Sequence, residues 1–415
     1  MYKVKNILFS IAIIVLAILL YIAINVPNLQ KFPGSISLYL LPVAYLYIFS
    51  KCKVILYLNF FKNEIFILSI LSFYCLFLDN VSGQDIYFVN CLYYLVDILP
   101  ISFFLVLLFN NIYTDKVLRF DNFINLIIFV SAISGLISIL LFTYPDFNDY
   151  IRSNILRTDD KSFDYSYRSF GLASGLFFSY PIMQGLISAL CLLYSKNRPY
   201  LLIAFIFIFP SVFFNARTGF IPIILCLLFF MVYFRVYKTT FLLFLLLLSF
   251  VLFGLFMSGL LIDMEYTIEW AMAALYAVSN VLFGTKYMEA SSTFDILNNM
   301  ILFPNNVFFG DQKYYFGALV NASDIGYILQ INYGGIILLV AIFIFWFCVF
   351  KQIYKLSKSR IECRAFCVIL VVTFILANYK GDLMVPSCIQ RFTILYYVWM
   401  KFYYTKIANH NVIVA

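Results

Sequence analysis

The sequence predicts an all-α membrane protein that crosses the bilayer about twelve times. Three observations carry that expectation. Hydrophobic residues make up 64% of the chain and charged residues 12%, with a mean hydropathy of +0.96, which no water-soluble globule of ordinary composition approaches. Apolar runs of the length a span needs, about 20 residues, recur from Ile7 to Tyr404. The polar gaps between runs alternate between strongly basic and basic-poor, as the positive-inside rule requires of successive loops.

In order, the spans are expected at 7–26, 33–50, 64–79, 91–110, 123–143, 169–194, 199–214, 219–236, 239–262, 326–350, 364–379 and 388–404. The third, seventh and eleventh are short, so eleven or ten spans also fit. All belong to one continuous membrane domain over 1–415. The first run follows Met1-Tyr2-Lys3-Val4-Lys5 and begins like a signal peptide, but no small-residue cleavage site follows it, which predicts a retained helix. Lys51, Lys53, Lys62, Lys116, Arg119, Lys196, Arg198, Arg235, Lys238, Lys3, Lys5, Lys351, Lys355, Lys358, Arg360, Arg364, Lys401 and Lys406 all fall on one side, 18 of the 28 basic residues. That side is read as cytoplasmic, with both termini on it. The net charge of +8 is therefore an orientation signal and points to no nucleic-acid partner.

The larger polar segments, 142–168 and 263–325, fall on the outer side. The second opens with an expected helix over 266–283, where Ile268, Met272, Leu275, Val278 and Leu282 recur at helical spacing before Gly284. It either lies in the membrane interface or packs on the tops of the spans. An Asn-rich stretch, Asn298, Asn299, Asn305 and Asn306 around Pro304, then leads to the tenth span.

Several chemistries are set aside by composition. A phosphate-cradling GxxxxGK[ST] motif is lacking, and the only histidine, His410, lies in the C-terminal tail, so zinc sites of the HExxH type and Ser/His triads are excluded within this sequence. Nine cysteines without a CxxC pair predict neither a disulfide framework nor a metal cage. No cofactor is expected.

Two arginines stand apart from the rest. Arg168, in Tyr167-Arg168-Ser169-Phe170-Gly171, and Arg217, in Asn215-Ala216-Arg217-Thr218-Gly219, fall at the outer ends of spans beside small residues. A guanidinium keeps its charge and meets phosphate oxygens through a planar fork, so the pair suits a lipid-linked phosphate; each alone also fits an interfacial anchor. Asp324, just before Gly326 and Tyr327 at the mouth of the tenth span, fits either a base activating a hydroxyl or a helix cap. Asp97, inside the fourth span, is costly there unless it is functional or paired with a tyrosine or with backbone freed by Pro100. Lys380 and Arg391 bring further cations to the outer side and extend the expected anion site.

Arg168-Ser169-Phe170-Gly171-Leu172, Ala216-Arg217-Thr218-Gly219, Ser323-Asp324-Ile325-Gly326-Tyr327 and Asn378-Tyr379-Lys380-Gly381 together resemble the O-antigen polymerase family, many-span proteins that join lipid-linked glycan repeat units. The resemblance implies a bacterial inner-membrane glycosyltransferase with a periplasmic loop over 263–325. It also implies a polyprenyl-pyrophosphate-linked oligosaccharide as donor and acceptor, surrounding membrane lipid, and a chain-length regulator protein as partner. On this resemblance Arg168 and Arg217 engage the pyrophosphate, with Asp324 as base and Tyr327, Lys380 and Arg391 as substrate contacts. The related O-antigen ligases resemble this chain in topology but carry a functional histidine in the long outer loop, where this chain has none. A lipid-linked oligosaccharide flippase is the alternative of another class; it would show more charge at mid-membrane than Asp97 alone supplies.

Overall fold

In hydrocarbon a backbone amide finds no water, so an apolar run satisfies its own hydrogen bonds by coiling into a helix. The computed structural model describes residues 2–25, 27, 36–50, 53–82, 86–112, 120–155, 172–173, 178–213, 215, 217–234, 301–313 and 323–413. Among them every regular element is helical. The expected ninth span, the expected helix over 266–283 and Arg168 lie outside the described residues.

The helices run α1 Tyr2–Asn25, α2 Ser37–Ser50, α3 Val54–Phe60, α4 Lys62–Ser82, α5 Ile86–Tyr93, α6 Leu99–Ile112, α7 Phe120–Thr143, α8 Pro145–Asn154, α9 Ser179–Ser195, α10 Leu201–Phe213, α11 Phe220–Phe229, α12 Gly326–Leu356, α13 Ile361–Ala377 and α14 Cys388–Ile413. Five stretches among them are long and apolar enough to cross a membrane: Ile7–Asn25, Lys62–Asn80, Ile86–Ile112, Phe120–Thr143 and Gly326–Ser359. Counting the bent pair α2 and α3 makes six. This is the architecture of a helical membrane protein.

The distribution of apolar side chains agrees with it. On α4, Phe66, Ile70, Phe73 and Phe77 are 64%, 55%, 74% and 68% exposed, while Leu68, Leu71, Cys75 and Leu78 point inward. A water-soluble helix would carry charge on that outer stripe. Here both faces are apolar, and the outer one suits lipid.

Several boundaries differ from the sequence expectation, two of them for a clear local reason. Among the described residues of the sixth run, helix begins at Ser179, with Pro181 in its first turn. A proline is tolerated there because the first amides have no helical partner, whereas a helix begun at 169 would hold it in the interior. The fourth run begins earlier, at Ile86, and contains a π-helical turn over Tyr94–Ile98. Pro100 follows and cannot donate to the Val96 carbonyl; the Tyr45 hydroxyl donates to it instead, at 2.9 Å.

The described residues cluster into two compact units: residues 1–223, 340–374 and 383–415 form the first, and 224–339 with 375–382 the second. In the first, α10 packs on α7 and α9, and α6 packs on α1 and α14. Lipid tails are as apolar as leucine, so such contacts depend on close packing and polar bonds more than on the hydrophobic effect. Both occur. A Cβ on Gly135 would fall 2.0 Å from the Phe207 carbonyl oxygen, so α7 and α10 approach backbone to backbone there. The buried Tyr180 hydroxyl meets Ser134 Oγ at 2.8 Å and Ser138 Oγ at 3.1 Å. Trp399 stacks on Phe123 at 4.4 Å between ring centroids and meets Phe109 edge-on at 5.1 Å.

The second unit is built on a broken helix. Within α12, Gly334 and Gly335 leave helical geometry, Gly335 with φ of 68°. A break orphans carbonyls before it and amides after it. Residues 305–312 take up both sets: Asp311 N donates to Asn332 O at 2.8 Å and Gln312 N to Tyr333 O at 3.2 Å, while Ile336 N donates to Val307 O at 2.9 Å. The segment also braces itself, since the Asp311 carboxylate accepts the amides of Asn305 and Asn306 at 3.0 and 3.2 Å. The Asn305–Asn306 end of the Asn-rich stretch foreseen as a loop thus belongs to an ordered clasp.

Candidate functional site

Two of the motifs singled out in the sequence meet in the second unit. Gly326 begins α12, and a Cβ there would lie 2.5 Å from both Asn378 Oδ1 and the Gly381 carbonyl oxygen. Only a glycine lets the turn after α13 press onto the start of α12 so closely. The buried Gln330 amide, one turn further along, then fixes that turn. Its Nε2 donates to Asp382 Oδ1 at 2.7 Å and to Asn378 Oδ1 at 3.2 Å, and its Oε1 accepts from Asn378 Nδ2 at 3.2 Å. Gln330 is fully buried, and Asn378 and Asp382 are each 3% exposed. The Tyr327 hydroxyl donates to the Ile375 carbonyl.

The consequence falls on the two charged residues at the rim. Lys380 Nζ lies 3.8 Å from Asp324 Oδ2, with side chains 48% and 28% exposed. At that separation and exposure the pair contributes little to stability. Asp324 does not cap the helix: it is Ser323 Oγ that takes up a backbone amide, that of Ile325, at 3.1 Å. A carboxylate beside an ammonium, on a frame of buried amide bonds, is available to a polar ligand.

Replacing Gln330 by leucine is expected to cost about 2 kcal/mol of local stability, because Asn378 and Asp382 lose buried partners. Zero-length carbodiimide coupling of Lys380 to Asp324, followed by peptide mass spectrometry, reads the same change: the coupled product should fall in Gln330→Leu and survive in Gln330→Glu at low pH.

Arg217 and Arg391 belong to the first unit. Arg217 opens a single 3₁₀ turn, Arg217–Gly219, between α10 and α11. The turn is held against α9 by missing side chains: a Cβ on Gly219 would meet the Pro181 carbonyl oxygen at 2.6 Å, and one on Gly185 would meet the Gly219 carbonyl oxygen at 2.0 Å. Asn215, just before the turn, is buried and donates to the Ser211 carbonyl at 2.6 Å. Thr218 Oγ1 is buried with no hydrogen-bond partner among the described residues. The Arg-Thr-Gly turn therefore fixes the backbone at Arg217 and places beside it a hydroxyl with no partner among the described residues.

Arg391 is 6% exposed and forms an ion pair with Asp97, which is 1% exposed. Both side chains lie within the first unit, Asp97 in the π-helical turn and Arg391 in the first turn of α14. Neighbouring bonds pin that turn. Ser179 Oγ donates to Ser387 Oγ at 2.7 Å, Ile389 N to Ser179 Oγ at 3.2 Å, and Gln390 Nε2 to the Leu383 carbonyl at 3.0 Å. A cavity of about 10 Å³ beside Arg391, lined also by Ile24, Ser102 and Leu395, has room for at most one water. Arg391 is thus paired with Asp97 inside the first unit.

Of the six residues the sequence nominated, Asp324, Tyr327 and Lys380 come together, Arg217 stands on a fixed turn, Arg391 is paired inside the bundle, and Arg168 lies outside the described residues. Sequence reasoning passed over Gln330. Its signal was available: an amide in an apolar run, three residues after Tyr327 and hence on the same helical face. No protein-family model, curated protein or solved structure matches this chain.

Proposed function

We propose that this chain is a membrane glycosyltransferase that joins polyprenyl-pyrophosphate-linked oligosaccharide repeat units at the outer face of a bacterial inner membrane. It does so with about twelve spans and both termini in the cytoplasm. The observation that carries the proposal is the meeting of Asp324 with Lys380 on the Gln330 frame, since two separate polar motifs converge there around a partly exposed carboxylate. In this scheme Asp324 accepts the proton of the acceptor sugar's hydroxyl as that oxygen attacks the anomeric carbon of the donor. The bond from that carbon to the pyrophosphate oxygen breaks, and the electron pair leaves with the lipid pyrophosphate. Arg168 and Arg217 hold the leaving group, supplying fixed positive charge where negative charge develops. Pyrophosphate is a weak base, so no general acid is required.

The broken helix α12 favours a second reading, a flippase, because transporters form binding sites at helix interruptions. Against it, the groups freed at Gly334 and Gly335 are taken up by the chain's own 305–312 segment.

Deleting the gene and complementing with Arg217→Ala tests the polymerase. Surface glycan run on a gel should show a single repeat unit and no ladder, at unchanged protein level, and Arg217→Lys should restore part of the ladder because lysine lacks the fork. A normal ladder from Arg217→Ala would overturn the assignment; disappearance of even the single unit on deletion would favour the flippase or a ligase.

A further inference from the structure

Asp121, in the first turn of α7, accepts from two arginines at once: Arg198 Nη2 donates to its Oδ2 and Arg360 Nη1 to its Oδ1. Arg360 directly precedes α13, and Arg198 stands three residues before Leu201, where α10 opens. Two full positive charges against the one carboxylate they share leave a surplus on the cluster. The other acid nearby in sequence, Glu362, accepts from Asn197 Nδ2 at 3.4 Å.

The arginines are held but not used up. Arg198 Nη1 also donates to Asn125 Oδ1 at 3.2 Å, and the Arg360 guanidinium lies 4.9 Å from the centre of the Phe120 ring. Their side chains remain 24% and 32% exposed. A guanidinium has five N–H donors, so both keep donors for an outside oxygen. The level of the cluster is set by the apolar stretches that end at it: one begins at Phe120 and another ends at Ser359. Where such stretches cross a bilayer, their ends lie at the level of the lipid phosphates. Tyr200, 55% exposed, has the amphipathic ring favoured at such a boundary.

We infer that Arg198 and Arg360, set side by side by Asp121, bind the phosphate of an anionic phospholipid at the membrane boundary. The surplus positive charge selects an anionic headgroup over a zwitterionic one, whose own cation would meet the guanidiniums. The paired forks suit phosphate oxygens better than two ammoniums would. The site is independent of the glycan chemistry proposed above.

The test uses the purified full chain in neutral detergent, titrated with short-chain phosphatidylglycerol, short-chain phosphatidylcholine or inorganic phosphate, with lipid retention read by native mass spectrometry and unfolding by a thermal melt. Phosphatidylglycerol should be retained on the order of tenfold more tightly than phosphatidylcholine and should raise the melting temperature, with inorganic phosphate ineffective. In Arg198→Gln/Arg360→Gln the difference between the two lipids should vanish, and Arg360→Lys should keep part of it. If the double variant does not fold, Asp121→Asn provides the second arm: removing the competing carboxylate should strengthen phosphatidylglycerol retention. Equal retention of both lipids by the wild type, a lipid preference unchanged in the arginine variants, or equal protection by inorganic phosphate would each overturn the inference.

Discussion

Asp97→Ala is expected to destabilise the folded protein by about 3–5 kcal/mol, the usual consequence of leaving a buried charge without its partner. Arg391 is 6% exposed, and its ion pair with Asp97 is the contact that neutralises it. With the carboxylate gone, the guanidinium either stays charged among apolar groups or drags the first turn of α14 toward water. Arg391→Ala should cost a similar amount, leaving Asp97 as the stranded charge. The double variant Asp97→Leu/Arg391→Met should recover most of the loss, because a well-packed apolar pair often replaces a buried ion pair without penalty. Thermal melts in detergent of the two single variants and the double variant check this. Additive losses in the double variant would show that the two side chains act separately, and would reopen a ligand-binding role for Arg391.

Gly335→Ala should have an effect of similar size in the other unit. Its φ of 68° with ψ of −170° lies in a region essentially confined to glycine, where alanine costs on the order of 1–3 kcal/mol, and a Cβ there would sit 2.0 Å from the Phe308 carbonyl oxygen. That atom is backbone, so it cannot swing aside. The 305–312 segment must move off the break, and the Ile336 amide then loses its acceptor, adding the cost of an unsatisfied group. Hydrogen exchange at the amides of Asp311, Gln312 and Ile336 should rise by orders of magnitude. Gly334→Ala, at a φ of −125° open to any residue, should change it far less. Unaltered protection in Gly335→Ala would show that the segment is held by something other than the break.

The helical class and the five or six apolar helices long enough to cross a membrane were legible because hydropathy over about 20 residues integrates many weak signals. Interruptions were less so. Gly334-Gly335 was visible as a pair of small residues, but a glycine pair inside a span can equally mark close helix packing; the break shows itself only through the partners that residues 305–312 supply. Asp97 and Arg391 were each conspicuous, yet 294 positions separate them, and no periodicity connects positions so far apart. The nearness of Asp324 to Lys380 was unreadable for the same reason. The residue that arranges it, Gln330, was readable as a polar side chain on the Tyr327 face of an apolar helix. Pro181 illustrates the reverse case: the reason α9 starts at Ser179 was present in the sequence and outweighed by the length of the apolar run.

The clasp of residues 305–312 on the interrupted α12 also bears on how the protein is made. Chains leave the ribosome N-terminus first, so the clasp is synthesised before the helix it completes. If α12 entered the membrane with its break already formed and nothing beside it, bare amides and carbonyls would be exposed to lipid. With the clasp already waiting, the break can close as the helix arrives. Moving this loop to a later position in the chain, as in a circular permutant that begins at the helix, should therefore lower the yield of inserted protein even though every contact of the finished fold is retained.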